Sequence, residues 1–203
     1  TNYWWEVTDK TGNKNFYGGY AGAVVNEAVI RTGNNLTDGN ISYWGLYRTE
    51  DTNGNYVQYN YDPDQFITDM VNVPGQNGKE FYIQSIEYTK NTNAPNDSNF
   101  YRVTFERDRE VKVGTNLQDR RDIQINAKNG VVQVTRDFLK EIKVSMQRGT
   151  AVNEPIRSYK FEYNEHAFFK SQLTKISEYD ASGDLFYSNT MEYQKKGDDN
   201  NTD

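Results

Sequence analysis

The chain contains no cysteine and a single histidine, His166. Without cysteine there is no disulfide, no thiolate nucleophile and no Cys-based zinc site. One imidazole cannot complete a His–His zinc site or the paired-histidine helix of a metalloprotease. No apolar run reaches the roughly 18 residues that a spanning helix needs. Positive charge is also short: Lys+Arg 23 against Asp+Glu 29 gives a net charge of -6 and a pI near 5.0. No global basic field is therefore available to hold a phosphate backbone, and nucleic acid is excluded as a partner. Hydrophobic residues make up only 35% and mean hydropathy is -0.96, values that alone would suggest disorder. The aromatic share of 14% argues the other way, because disordered chains are poor in rings. With 203 residues and 23.6 kDa, the chain is long enough to bury about 70% of its unfolded surface without staples.

What is present is a period of two. Rings and β-branched residues alternate with polar ones in Phe81-Tyr82-Ile83-Gln84-Ser85-Ile86-Glu87-Tyr88, Tyr101-Arg102-Val103-Thr104-Phe105-Glu106, Ile142-Lys143-Val144-Ser145-Met146 and Tyr159-Lys160-Phe161-Glu162-Tyr163. Alternate side chains of such segments face one side of a sheet. Turn chemistry separates them: Thr11-Gly12-Asn13, Asn53-Gly54-Asn55, Asn77-Gly78, Asn129-Gly130 and Ser182-Gly183-Asp184. Gly and Asn tolerate the positive φ that tight hairpins require, and many of the 24 asparagines sit there. Three passages share a strand, an Asp-x-x-Gly-Asn/Asp turn and a return strand, with the aspartates at Asp9, Asp51 and Asp180. Their unequal spacing excludes a fixed-period solenoid.

The pattern predicts an all-β fold. It is an antiparallel meander of successive hairpins forming a curved sheet or partial barrel, with at most one or two short helices. The best helix candidate covers residues 62–71, with Asp62 as cap and Pro63 in the first turn. A turn of helix is expected near Gly22 to Glu27, and loops over residues 31–39 and 90–99. Residues 1–194 read as a single β-rich module and residues 195–203 as a polar tail or linker. The opening Thr1-Asn2-Tyr3-Trp4-Trp5-Glu6 lacks the features of a signal peptide and starts inside a strand-like pattern. The chain is thus expected to be a piece of something longer.

Candidate chemistry is thin. The Asp-x-x-Gly turns lack the alternating oxygens and terminal Glu of an EF-hand, so the aspartates are expected to accept hydrogen bonds from turn amides. Surface calcium at Asp62/Asp64/Asp69 or Asp198/Asp199 has no supporting pattern. Glu165-His166, beside Phe168 and Phe169, reads as a packing or surface pair rather than an acid–base couple. Tyr56-Val57-Gln58-Tyr59-Asn60-Tyr61 reads as three rings on one strand face, either core or a stacking platform for a carbohydrate. Asp119-Arg120-Arg121-Asp122 and Arg107-Asp108-Arg109-Glu110 read as solvated mixed-charge loops. The triplets at Asn35, Asn40 and Asn96 match the glycosylation pattern, which has meaning only in a eukaryotic secretory protein. No catalytic, cofactor-binding or metal-ligating residue is assigned; the chain is expected not to be an enzyme and to need no cofactor.

A resemblance adds to this reading. Trp4-Trp5-Glu6-Val7-Thr8-Asp9-Lys10-Thr11-Gly12-Asn13, followed by Phe16-Tyr17-Gly18, resembles the opening of SpvB-type and insecticidal toxin-complex B-type proteins, relatives of the RHS/YD-repeat family. Gly39-Asn40-Ile41-Ser42-Tyr43-Trp44-Gly45-Leu46, Asp51-Thr52-Asn53-Gly54-Asn55 and Tyr59-Asn60-Tyr61-Asp62 are similar to that family's next block. Strand blocks at Phe81 to Thr89, Tyr101 to Glu106, Leu139 to Val144, Ile156 to Tyr163 and Ser171 to Tyr179 follow in the family's order, with Arg107 where an aromatic is usual. The resemblance implies a secreted or cell-surface bacterial protein whose strands build a hollow shell around a separate effector. This segment would be part of the wall, without an active site. Its implied partners are the remaining domains of the parent protein, met through exposed sheet edges, and other toxin-complex subunits. The alternative is a surface-binding module for carbohydrate or host protein, using exposed tyrosines.

Overall fold

A computed structural model of the chain describes residues 3–67, 77–128, 130–149 and 153–193. The first hairpin joins β1 (Trp5–Thr8) to β2 (Lys14–Tyr17). An excursion follows, made of β3 (Gly19–Tyr20), β4 (Ala23–Val24), a 3-10 turn (Asn26–Ala28), β5 (Val29–Arg31) and β6 (Ile41–Trp44). The second hairpin is β7 (Leu46–Glu50) and β8 (Asn55–Tyr61). Short strands β9 (Phe66–Ile67) and β10 (Gly78–Lys79) precede the long hairpin β11 (Ile83–Asn91) and β12 (Phe100–Asp108). A further excursion holds β13 (Glu110–Val113), β14 (Asn116–Asp119), β15 (Gln124–Asn126) and β16 (Gln133–Thr135). The chain ends in β17 (Phe138–Gln147), β18 (Glu154–Glu165), β19 (Ser171–Tyr179) and β20 (Leu185–Thr190).

One 12-stranded sheet carries the order β1-β2-β7-β8-β11-β12-β17-β18, after which it forks. Along one arm β18 pairs β19 and β19 pairs β20; along the other, β13 and β14 take the place beside β18. The expected all-β antiparallel meander is therefore present, as an open sheet rather than a closed barrel. Two pairings among the described residues are parallel: Lys112↔Asn164 within this sheet, and Lys79↔Gln133 in a separate four-stranded sheet of order β15-β16-β10-β9. Both arise where an excursion returns to a strand it does not directly precede.

The three Asp-x-x-Gly passages fold into the same turn. Asp9 Oδ1 accepts from the amides of Thr11 and Asn13, Asp51 Oδ1 from Asn53 and Asn55, and Asp180 Oδ1 from Ser182 and Asp184. In each, the Asp amide donates to the carbonyl four residues on, at 2.9, 2.9 and 3.0 Å. The glycine takes φ of 88°, 81° and 86° in turn, a region closed to most side chains. Hydrogen bonds from Thr11, led by its hydroxyl, hold the Asp9 carboxyl below its ordinary value, and Asn55 does the same for Asp51. The turn amides are the partners of these aspartates, as the sequence led us to expect.

Elsewhere the structure corrects the sequence reading. Asp62 does not start a helix within the described residues. Its Oδ1 accepts from the Asp64 amide, and Phe66 and Ile67 then pair with Lys79 and Gly78. A capping Asp and an Asx turn share one sequence signature, and here sheet pairing decides between them. Residues 68–71 of that candidate, Asn129 and the expected tail 195–203 lie outside the described residues. The turn expected near Gly22 to Glu27 is displaced to Asn26–Ala28. The loops expected at 31–39 and 90–99 are present but shorter at their starts, since Arg31 belongs to β5 and Lys90 and Asn91 to β11.

Candidate functional surfaces

The long strands sort their side chains by parity. One face carries the cross-strand row Tyr59, Ile86, Val103, Val144, and beside it Phe105, Ile142, Tyr159. All seven stay half-buried because no second layer covers them among the described residues. The opposite face carries Arg48, Gln58, Glu87, Arg102, Ser145, and beside it Glu106, Glu141, Lys160, Ser177. There ions neutralise one another across strands. Arg102 reaches Glu87 Oε1 with two donors at 2.7 and 3.0 Å, and Lys90 closes on the same carboxylate. Burial opposes ionisation of Glu87, yet the hydrogen bonds from Lys90 and Arg102 outweigh it and hold the carboxyl below its ordinary value. Serines at 85, 145 and 177 are buried between these longer side chains.

A packed corner forms where the excursions fold against β2, β7 and β8. Ala28, Val29 and Ile30 are at most 1% exposed. Arg48 lies between the rings of Tyr20 and Tyr56, 4.1 and 3.4 Å from their centroids, and pairs with Glu50 at 2.7 Å. Gln65 donates to the Glu27 carbonyl at 2.6 Å, and buried Lys79 donates to the carbonyls of Arg31 and Gly33. Further along, Arg136 joins buried Glu80 at 2.9 Å, and the Tyr82 hydroxyl donates to the same oxygen. Burial pushes the Glu80 and Asp137 carboxyls up and Tyr82 up to about 12.

Several residues singled out in the sequence sit differently from expectation. Tyr56 does not share a face with Tyr59 and Tyr61. β8 runs regularly against β7, so parity sends Tyr56 to the Arg48 side. Tyr61 is buried, stacked 4.4 Å from Phe81, with its hydroxyl on the Leu46 carbonyl. These rings form no single platform. Residues 107–110 are strand apart from Arg109, and in residues 119–122 Asp119 and Arg121 are exposed as expected while Arg120 and Asp122 are not. Arg107 donates to the Ile83 carbonyl beneath the Tyr82 ring, and Arg120 pairs with Asp122 at 3.0 Å with both side chains largely buried. Asp122 in turn accepts from the amide and hydroxyl of Ser171 at 3.0 and 2.8 Å. Glu165 is taken by Arg121 rather than by His166, whose amide closes the hairpin on the Lys170 carbonyl. No cluster of three His, Cys, Asp or Glu suited to a metal occurs among the described residues.

Several exposed apolar features stand out among the described residues, including Leu117 on β14 and Ile125 on β15. Edge strand β1 shows Trp5 and Val7, each 50% exposed. Edge strand β20 is exposed along its whole length, including Leu185, Phe186 and Tyr187. The tip between β18 and β19 holds Phe168, 89% exposed, and Phe169 at φ of 59° and 60°. Two successive aromatics in the left-handed region are strained. Arg121 braces the second at 3.8 Å from its ring centroid.

Comparison with known proteins finds no matching family model and no matching curated protein. Solved structures do match. The N-terminal domain of effector protein SpvB from Salmonella typhimurium strain LT2 superposes with a TM-score of 0.61 at 12% identity, over 93% of this chain and 61% of that one. The TcdB2-TccC3-Cdc42 structure gives 0.57 at 13% identity, over 90% of this chain and 10% of that one. TcdB2-TccC3 without its hypervariable C-terminal region gives 0.55 at 13%, with the same coverage. The likeness is one of fold, and the chain spans only part of each neighbour. No helix among the described residues is long and apolar enough to cross a membrane.

Proposed function

We propose that this chain is a structural β-module of a longer, secreted or surface-delivered bacterial protein of the toxin-complex type. In this reading it forms part of the wall of a shell that houses or delivers a separate effector, and it performs no catalysis itself. The observation that carries the reading is the open sheet: β1 and β20 lie at its margins with apolar side chains in solvent, and the apolar face between them is half-covered. An exposed edge of this kind is a template for another strand, which native proteins normally blunt or cover. The fold shared with SpvB and TcdB2-TccC3, both longer than this chain, is consistent with neighbouring segments supplying that cover. The buried carboxylates also fit a scaffold, since Glu80, Glu87 and Asp122 are each tied to an arginine, and the Glu87–Arg102 pair bridges β11 and β12.

Hydrogen exchange tests the reading. Amides of β20 should exchange rapidly in the 203-residue chain and become protected in a longer parent chain. Equal, rapid exchange in both would remove the wall assignment.

A further inference from the structure

The end of the sheet that carries the first two Asp-x-x-Gly turns forms a cleft of ≈ 490 Å³. The turns are locked side by side. A Cβ on Gly12 would meet Thr52 Cγ2 at 2.8 Å, and one on Gly54 would meet Thr92 Oγ1 at 2.2 Å. Asn91 ties the second turn to the next loop through the Asn53 carbonyl and Asn55 Oδ1, at 3.2 and 2.8 Å. The floor is one cross-strand row, Asn15, Thr49 and Val57. Tyr88 closes one side, held by stacking on Tyr101 at 5.4 Å.

Two features separate this cleft from an ordinary groove between hairpins. Beside Tyr88, strand β11 takes three steps from Glu87 to Lys90 while β8 takes two, and Thr89 at this bulge has φ of 66°. A β-branched residue in the left-handed region is an outlier of the kind that gathers at ligand sites. The rim, moreover, retains acceptor capacity. Asp9 Oδ2 and Asp51 Oδ2 each accept one bond, from their own turn asparagine at 3.2 and 2.8 Å. A carboxylate oxygen has room for a second.

A floor that sets Val57 beside the polar Asn15 and Thr49, with an aromatic wall, describes a small-molecule site, and the volume suits a small ligand. Carboxylates on the rim disfavour an anion. A hydroxyl both donates and accepts, so a ring of hydroxyls matches carboxylate, amide and threonine together. We propose that this cleft binds a neutral hexopyranose, its C–H face on Tyr88 and Val57 and its hydroxyls toward Asp9, Asp51, Asn15 and Thr49. The cleft lies on the face that the wall reading leaves half-covered, but the two are tested apart: exchange of β20 amides reads the wall, and the titration below reads the cleft.

The test is a titration of the 15N-labelled chain, followed by amide correlation spectra. Glucose, galactose, mannose and N-acetylglucosamine are the probes, each alone, with ethanolamine as a cationic control. At least one sugar should give saturable shifts confined to residues 12–15, 49–57 and 88–89, with Kd on the order of 1–10 mM. Tyr88→Ala should weaken binding about tenfold, while Tyr88→Phe keeps it. If Tyr88→Ala loses spectral dispersion, Asn15→Ala takes its place with the same loss expected. The proposal fails if no sugar saturates, if the folded alanine variant binds like the parent, or if ethanolamine moves the same amides, which would make the cleft a cation site.

Discussion

The packed corner and the open wing of this sheet are built from the same kind of strand, yet only one of them is a core. Ile30 in the corner is fully buried, while Val144 and Ile142, equally apolar and in equally regular strands, remain half-exposed in the wing. The difference lies in the connections. β3 to β6 and β9–β10 are chain excursions that fold back against β2, β7 and β8, whereas β17 to β20 follow one another through short connections, and the β13–β16 excursion reaches only their margin, as at Phe138, Asn164 and Ser171. Alternation selects which side chains share a face; a second layer decides whether that face leaves water.

The largest effect that would break this contrast is a core truncation. Ile30→Ala should cost about 3 kcal/mol in urea unfolding, as a fully buried aliphatic does, and Ile156→Ala in the wing under about 1 kcal/mol. Similar losses at the two sites would mean that the wing is packed in solution.

Charge gives the next contrast. Glu80 in the corner has its carboxyl raised by burial, and Glu87 facing the wing has its own lowered by Lys90 and Arg102. The signs are opposite. A raised folded pKa means that the native state binds the extra proton, so the Glu80 contribution is lost as pH rises through that value. A lowered one means that the Glu87 contribution is present above the ordinary glutamate value and lost as pH falls through the folded value. Glu87→Gln should therefore cost about 2 kcal/mol at pH 7 and little in acid. Glu80→Gln should be neutral or stabilising at pH 7. Unfolding curves across pH 3 to 8 read both, and matching pH profiles for the two variants would refute the assignment.

The repeated turn sharpens the contrast at smaller scale. Gly54→Ala meets both a left-handed φ and Thr92 Oγ1, so a loss of about 2 kcal/mol is expected. Gly183→Ala has the same φ with open space around it and should cost about 1 kcal/mol. Equal shifts in melting temperature would show that the neighbouring loop contributes nothing. Phe186→Ser, on the exposed edge, should change stability by less than about 0.5 kcal/mol while reducing self-association in sedimentation.

Much of this architecture was legible from residue order. The period of two in Tyr101 to Glu106 and Tyr159 to Tyr163 marks real strands, and Asp9, Asp51 and Asp180 behave as turn acceptors. What was hidden depends on contacts between segments distant in the chain. Asp119 to Asp122 looks like solvated charge until Ser171, 49 residues on, donates to Asp122. Residues 62–67 carry a helix-start signature that pairing with Gly78 and Lys79 overrides. The cleft was invisible for the same reason: Asn15, Thr49 and Val57 become one floor only through strand register. One signal was available and misread, since counting positions places Tyr56 opposite Tyr59 and Tyr61.

The order of the strands also bears on how the molecule is made. β11 can zip onto β12 as soon as a short loop leaves the ribosome, and β18, β19 and β20 can add in the sequence of their synthesis. Between these two stretches lies one long wait, because β12 finds its partner β17 only after residues 109–137 have emerged. During that interval β12 is an unpaired margin flanked by the apolar side chains of Val103 and Phe105, the kind of transient edge through which nascent chains aggregate.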